Sequence, residues 1–385
     1  MSTNKDFRTI AATNGIAGDT AHGAVTPALY LSSNFAFRQF EQAQTYEYSR
    51  TSNPTRDLLA DTLAKLEAGV GAVVTSSGMA AVNLVLGLLK PGDRVIAPHD
   101  CYGGTYRLLA ALRDKGHFSV EFVDQGNEEA LTSALSRGIA LVFVETPSNP
   151  LMRVADIAAI SRLAKAAQAR VVVDNTFLSP ALQRPIALGA DLVIHSTTKY
   201  LNGHSDVVGG AVIAAHADDL DELKAWANMI GVTGSPFDSY LTLRGVRSLF
   251  ARLERQQITA MAVARFLSGH PKVGAVHYPG LATHPGHDLA ARQQFGFGAM
   301  LSFELEGGIE AVRHFVSGLR IFTLAESLGG VESLIAHPAT MTHVGMGAEA
   351  RKAAGIKEGL LRVSIGLEAE KDLLFELDAS LAGVE

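Results

Sequence analysis

From residue 53 to about residue 214, short wholly apolar runs alternate with longer segments whose apolar residues recur every three or four positions. Asn53 suits a helix cap and Pro54 a first helical position, and Leu59, Leu63 and Leu66 form one apolar stripe. Gly69 or Gly71 is placed to end that helix. Val73–Thr75 predicts a short strand, and Ser76-Ser77-Gly78 opens a helix running through Leu89. Further strands are expected at Arg94–Ala97, Val120–Val123, Ile139–Val144, Val171–Val173, Leu192–Ile194 and Ala211–Ala214. Helices are expected at Thr105–Lys115, at Glu128–Leu135 behind the cap Asn127, and from the cap Asp156 to about Gln168. Strands without a polar face, separated by amphipathic helices, imply a mostly parallel sheet covered on both sides. The fold class is α/β, doubly wound.

After about residue 230 the rhythm changes. A long helix is predicted to begin near Arg244 and to carry Leu249, Leu253 and Ile258 inward toward Phe266. Strands at Val273–Val276, Met300–Leu305 and Leu361–Ile365, with helices at Ile309–Val316 and Glu370–Leu381, predict a smaller α+β domain. Residues 1–52 show no sustained period, only the apolar piece Ala28–Leu31 and the polar-aromatic piece Tyr46–Arg50. Such an arm has no core of its own and is expected to lie against something else, such as a second subunit. The expected division is an arm at 1–52, a large domain at 53–243 and a C-terminal domain at 244–385.

Composition narrows the class. The chain has 385 residues, 47% hydrophobic and 19% charged, enough to build two cores. A net charge of −6 without a Lys/Arg block argues against nucleic acid and anionic membrane as partners. Cys101 is the only cysteine, which rules out an intrachain disulfide and suits a reducing cytoplasm. The N-terminal MSTNKDFRTIAATNG lacks a signal-peptide core, and Val82–Leu89, the longest apolar stretch, is broken by Asn83. A cytoplasmic location is expected.

In doubly wound sheets, ligands bind beyond the carboxyl ends of the strands. Four polar clusters fall there. Ser76-Ser77-Gly78-Met79 joins a strand to a helix start, where free N–H groups and the dipole can seat a phosphate; it also reads as an ordinary helix cap. Asp174 ends a buried strand and needs a cation or donor, which a protonated pyridine nitrogen can supply; a turn cap is the structural alternative. Tyr102 precedes two glycines and can stack on a flat ring, or simply shield a core edge. Lys199 leaves a buried strand beside Ser196 and Thr198. A partly desolvated amine is nucleophilic near neutral pH, which makes Lys199 a candidate for an imine with pyridoxal phosphate; a surface lysine is the alternative. The set of phosphate seat, ring partner, stacking aromatic and amine is complementary.

Other chemistries lack their signatures. Neither G-x-x-x-x-G-K-[ST], nor G-x-G-x-x-G after an early strand, nor G-x-S-x-G occurs. Proline and glycine break the helical spacing of His284-Pro285-Gly286-His287, and no acidic ligand motif accompanies it or His277. His99, His195 and His204, near the candidate site, read as packed or surface residues.

Several stretches together resemble the Cys/Met-metabolism family of pyridoxal-phosphate enzymes, over nearly the whole length. They include Tyr48-Ser49-Arg50, Asn53–Arg56, Ser77–Met79, Tyr102–Gly104, Glu145–Pro150 and Val173–Thr176. Ser196–Tyr200, Ala325–Gly330, Met341–His343 and Leu361–Ser364 complete them. The resemblance implies fold type I, aspartate-aminotransferase-like, with a mostly parallel seven-stranded sheet and a smaller C-terminal domain. It implies pyridoxal 5'-phosphate, with Lys199 as imine lysine and proton shuttle, Asp174 on the ring nitrogen and Tyr102 stacked on the ring. Ser77, Gly78, Met79, Ser196 and Thr198 would hold the phosphate, joined by Tyr48 and Arg50 of a neighbouring subunit, in a homotetramer built as a dimer of dimers. Arg362 would grip a substrate α-carboxylate, helped by Asn149 and Ser327.

Glu326 is similar to family members that act at the γ-carbon of homoserine-type substrates. Segments such as Trp226–Gly234 and Gly298–Leu305 resemble bacterial members that replace the acyl group of an O-acylhomoserine, O-succinyl above all, with cysteine to give cystathionine. Arg107 would meet the acyl carboxylate, and Tyr48 would reach the substrate as well. Tyr102 would deprotonate the incoming amine. Tyr46–Arg50 instead resembles members that cleave cystathionine at the γ-carbon, and Glu47 and Thr51 depart from the synthase pattern.

Overall fold

The structure, a computed structural model, describes residues 5–384. Seven strands are β1 (Gly71–Thr75), β2 (Arg94–Pro98), β3 (Ser119–Val123), β4 (Leu141–Glu145), β5 (Arg170–Asp174), β6 (Leu192–His195) and β7 (Gly210–Ala214). They form a seven-stranded sheet in the order β1-β7-β6-β5-β4-β2-β3. β2 runs parallel to β3 and β4, and β5 parallel to β6, whereas β7 is antiparallel to β1 and β6. The expected mostly parallel α/β sheet is present. β4, β6 and β7 are buried at every residue, which is why their sequences are apolar up to the closing Glu145 of β4 and His195 of β6.

A second sheet contains β8 (Val273–His277), β9 (Met300–Leu305), β10 (Thr323–Leu324), β11 (Leu334–Ala336) and β12 (Leu360–Ser364), in the order β10-β11-β12-β9-β8. β10 and β11, two and three residues long, are too short to show a period and were not expected.

By its contacts the chain forms two compact units. One holds the residues up to Lys90 and Val172–Phe250; the other holds Pro91–Val171 and the residues from Ala251 on. In the first, the helix Pro54–Glu67 is capped by the Asn53 side chain, which accepts from the N–H groups of Thr55 and Arg56, and it buries Leu59, Leu63 and Leu66 as its stripe required. In the second, the five-stranded sheet and the helices Gly308–Ser317 and Glu370–Ala382 bury Phe303, Phe315, Leu373 and Leu377.

Four local expectations are corrected. The first long helix ends at Glu67, and Ala68 rather than a glycine takes the left-handed cap at φ 60°. The helix that opens at Gly78 stops at Leu86, capped by Gly87, rather than running through Leu89. Two helices, Pro236–Val246 and Leu249–Ser268, replace the single one expected from Arg244. At the break, the Arg247 guanidinium donates to the carbonyls of Ala12 and Asn14, at 2.8 and 3.3 Å. Ile258 was expected to face inward and is instead exposed, whereas Leu249 and Leu253 are fully buried. The helix Ala217–Ile230, closed by Gly231 at φ 75°, also went unassigned in the sequence.

Candidate active site

In the first unit, three element ends meet. Ser77 caps the helix Gly78–Leu86 through its hydroxyl, which accepts from Ala80 N–H at 3.0 Å. The first intrahelical bond is made by Ala81, so the N–H groups of Gly78 and Met79 lie ahead of the helical ladder, as an anion seat requires. A Cβ on Gly78 would lie 2.7 Å from the Ser196 Cβ and 2.9 Å from its hydroxyl, so only glycine lets this helix start approach Ser196. Ser196 N–H donates to the Thr176 hydroxyl at 2.9 Å, and Lys199 follows in a turn closed by its N–H to Ser196 O. The Thr198 hydroxyl is engaged with both backbone groups of Gly209, at 3.0 and 3.2 Å.

Asp174 stands at the end of β5. Its carboxylate accepts from Thr176 N–H at 3.0 Å, and burial pushes its pKa above the ordinary carboxylate range. The Thr176 bonds and the attraction of His195 offset only part of this. A carboxylate in that position favours a cation next to it.

Behind these strand ends lies a buried network that the sequence reading missed. The Glu67 carboxylate, fully buried, accepts from His195 Nε2 at 2.6 Å and from Asn175 Nδ2 at 2.8 Å. Glu67 follows a leucine-rich stripe and gives no local sign of a partner. His195 reads in the sequence as a packed or surface histidine.

In the second unit, Tyr102 begins the helix Gly103–Asp114, and its ring is partly exposed. Its N–H donates to Glu145 Oε2 at 2.8 Å, while Asn149 N–H donates to Glu145 Oε1 at 3.2 Å. Glu145 thus ties the tyrosine loop to the asparagine loop. It was legible as a carboxylate closing a wholly apolar strand, but was not singled out. Arg362, buried on β12, donates to Asn149 Oδ1 at 3.1 Å and to Ser327 O at 2.9 Å. Ser327 has φ 86°, a costly conformation for a residue with a side chain, and its carbonyl is one of the groups that hold the guanidinium. His343 Nε2 donates to Asn149 O at 2.9 Å; burial lowers its pKa to about 4, so it stays neutral beside Arg362.

The remaining predicted residues are more open. Arg107 is exposed on its helix, and Glu326 is exposed next to Ser327. On the arm, Arg50 donates to Asn228 O and Oδ1 at 2.7 and 2.8 Å and lies over the Tyr48 ring. Tyr48 is half exposed. Among the described residues, no group of three or more His, Cys, Asp or Glu side chains could hold a metal ion.

The residues present fit pyridoxal phosphate. Asp174 is a desolvated carboxylate suited to a ring N–H, and the helix start whose Gly78 and Met79 N–H groups precede the helical ladder packs at Gly78 against Ser196, as a phosphate seat needs. The chain resembles known proteins in sequence and in structure. It is 57% identical to the cystathionine gamma-synthase of Escherichia coli K12 over 371 residues, 96% of each chain. It is 47% identical to a cystathionine beta-lyase of Lactococcus lactis, over 95% of this chain and 96% of that one. A crystal structure of cystathionine gamma synthase from Xanthomonas oryzae pv. oryzae, in complex with aminoacrylate and cysteine, superposes with a TM-score of 0.98 at 60% identity, covering 99% of both chains. The model of the Cys/Met metabolism PLP-dependent enzymes matches residues 8–382, and the chain belongs to that family.

Proposed function

We propose that this chain replaces the acyl group of an O-acyl-L-homoserine, O-succinyl above all, with L-cysteine, giving L-cystathionine and the free carboxylic acid. The observation that carries this is its full-length identity of 57 to 60% with two γ-synthases. In the reaction the bond from Cγ to the ester oxygen breaks, a bond from Cγ to cysteine sulfur forms, and the thiol proton is released.

Pyridoxal phosphate, when bound, supplies a ring that absorbs the electron pair left by a departing α-proton. Lys199 would hold its aldehyde carbon, Asp174 would keep the ring nitrogen protonated, and Tyr102 would stack on the ring. Ser77, Gly78, Met79, Ser196 and Thr198 would hold its phosphate, joined by Tyr48 and Arg50 of a neighbouring copy. Arg362 binds the substrate α-carboxylate by its planar fork, held in place by Asn149 and the Ser327 carbonyl. The Lys199 amine moves protons at Cα and Cβ of the bound amino acid, and Tyr102 takes a proton from the entering amine. Arg107 meets the acyl carboxylate, and Glu326 lies on the γ side. The functional division is the arm 1–52, the cofactor domain 53–243 and the domain 244–385.

The arm supports assembly into a homotetramer, a dimer of dimers. Val25, Leu31, Phe37 and Phe40 are exposed apolar side chains, and a second copy is the natural cover for them. Among the described residues no helix is long and apolar enough to cross a membrane, and the proposed location is the cytoplasm.

A second reading, γ-elimination of cystathionine to cysteine, 2-oxobutyrate and ammonia, is favoured by Tyr46–Arg50 and by a cystathionine gamma-lyase of Bacillus subtilis that is 42% identical over 98% of this chain. Product analysis separates the two. With O-succinylhomoserine, cystathionine should form only when cysteine is added. Consumption of cystathionine alone, faster than its formation from both substrates, would establish the lyase instead.

A further inference from the structure

We propose that Glu67 is a positioning residue: it fixes the spacing between the end of β5, which carries Asp174, and the end of β6, which leads into Ser196–Lys199. The inference rests on the reading of those residues as the cofactor seat, and adds what sets the distance between the ring partner and the phosphate loop.

One oxygen does both jobs. Glu67 Oε1 accepts from Asn175, the residue after Asp174, and from His195, the residue before Ser196. The ladder between β5 and β6 pairs Asp174 with Ile194, and the next bond runs from Asn175 N–H to Ile194 O at 3.0 Å. Side chains alternate along strands, so Asn175 and His195 leave by the face opposite Asp174 and Ser196. Thr176 takes the Ser196 N–H at 2.9 Å, and Glu67 closes the back of the same fork. Asn175 is itself locked, since Gln183 Nε2 donates to its Oδ1 at 3.1 Å and its Nδ2 donates to Gln183 O at 2.8 Å. A carboxylate only accepts, so His195 carries its proton on Nε2.

Stability alone does not account for this arrangement. Glu67 is fully buried and His195 nearly so, and their second polar atoms, Oε2 and Nδ1, have no hydrogen-bond partner among the described residues. An apolar cluster of equal volume is commonly as stable as such a pair, or more so. What the carboxylate provides is a single acceptor reached from two strand ends.

The test uses the full-length protein, with the pyridoxal phosphate dissociation constant, the visible circular dichroism per bound cofactor and the melting temperature as readouts. Glu67→Leu should weaken cofactor binding by at least about tenfold and reduce the dichroism, without a matching fall in melting temperature. Glu67→Gln keeps an acceptor oxygen in place and should stay within about threefold of the parent. Tyr278→Phe, which removes a buried bond to Gly298 O, is the stability control and should leave cofactor binding unchanged. If Glu67→Leu does not fold, Asn175→Ala releases one strand end and should show the same loss in smaller measure. Binding and dichroism at parent levels in Glu67→Leu, or in Asn175→Ala where that variant stands in, would overturn the inference. A parent protein that bound no pyridoxal phosphate would overturn the cofactor reading itself.

Discussion

The Arg362 guanidinium donates to Asn149 Oδ1 at 3.1 Å, although the two residues lie 213 positions apart in the chain. A second nitrogen of the same guanidinium reaches the Ser327 carbonyl. The arginine is therefore oriented before any substrate arrives, and a preorganised fork loses less entropy on gripping a carboxylate. Arg362→Lys should lower kcat/KM for the amino-acid substrate by about a hundredfold, roughly 2–3 kcal/mol, mostly through KM. Steady-state kinetics on the two proteins check this.

The strained backbone of Ser327 gives a second prediction. Its φ of 86° is easy for glycine and costly for a β-branched residue. Ser327→Gly should preserve the aim of the carbonyl and the KM. Ser327→Val should lose about 1–3 kcal/mol of stability and raise KM, as read by thermal melting and kinetics.

If Asp174 meets the ring nitrogen as proposed, cofactor binding and stability should oppose each other there. Burial raises its pKa in the folded chain above the ordinary value of 3.8. A raised acid binds its proton longer when folded, so its stabilising contribution is complete below pH 3.8 and is lost as pH rises through the folded pKa. Above that folded pKa the cofactor-free protein holds a desolvated charge. Asp174→Asn should raise the melting temperature of that form at pH 7, with the gain vanishing in acid, while weakening pyridoxal phosphate binding. An unchanged melting temperature at pH 7 would contradict the desolvation argument.

Acid should destabilise the fold through buried histidines. Burial lowers His343 and His284 from 6.5 to about 4. Both bind a proton more readily when unfolded, so the stability they contribute is present above pH 6.5 and lost as pH falls toward about 4. For the fully buried His343 this amounts to up to about 3 kcal/mol. Melting curves between pH 7 and 4.5 should slope downward, and His284→Gln should flatten that slope.

Parts of this site were legible in the sequence because their signals are local. A buried strand ending in Asp174, another running into Ser196 and Lys199, and a serine cap at Ser77 each show within a few residues. The strands β10 and β11 were not legible, being too short to show a period, and the helix break near Arg247 depends on carbonyls more than two hundred residues earlier. Glu67 and the bond it makes to His195 were missed for the same reason, whereas Glu145 was legible as a carboxylate closing an apolar strand and was not singled out. A glutamate on a leucine-rich helix looks like any solvated residue until folding places strand ends against it. Arg362 was found through family resemblance, since its partners Asn149 and Ser327 are remote in sequence.

Lys199 is the proposed point of attachment, and the most direct measurement is to find where the cofactor is bound covalently. Reduction of the pyridoxal-phosphate-loaded protein with borohydride, followed by peptide mapping by mass spectrometry, should place one pyridoxyl group on Lys199. Lys199→Ala should lack that adduct and all turnover. An adduct on another lysine, or substantial activity in Lys199→Ala, would contradict the account.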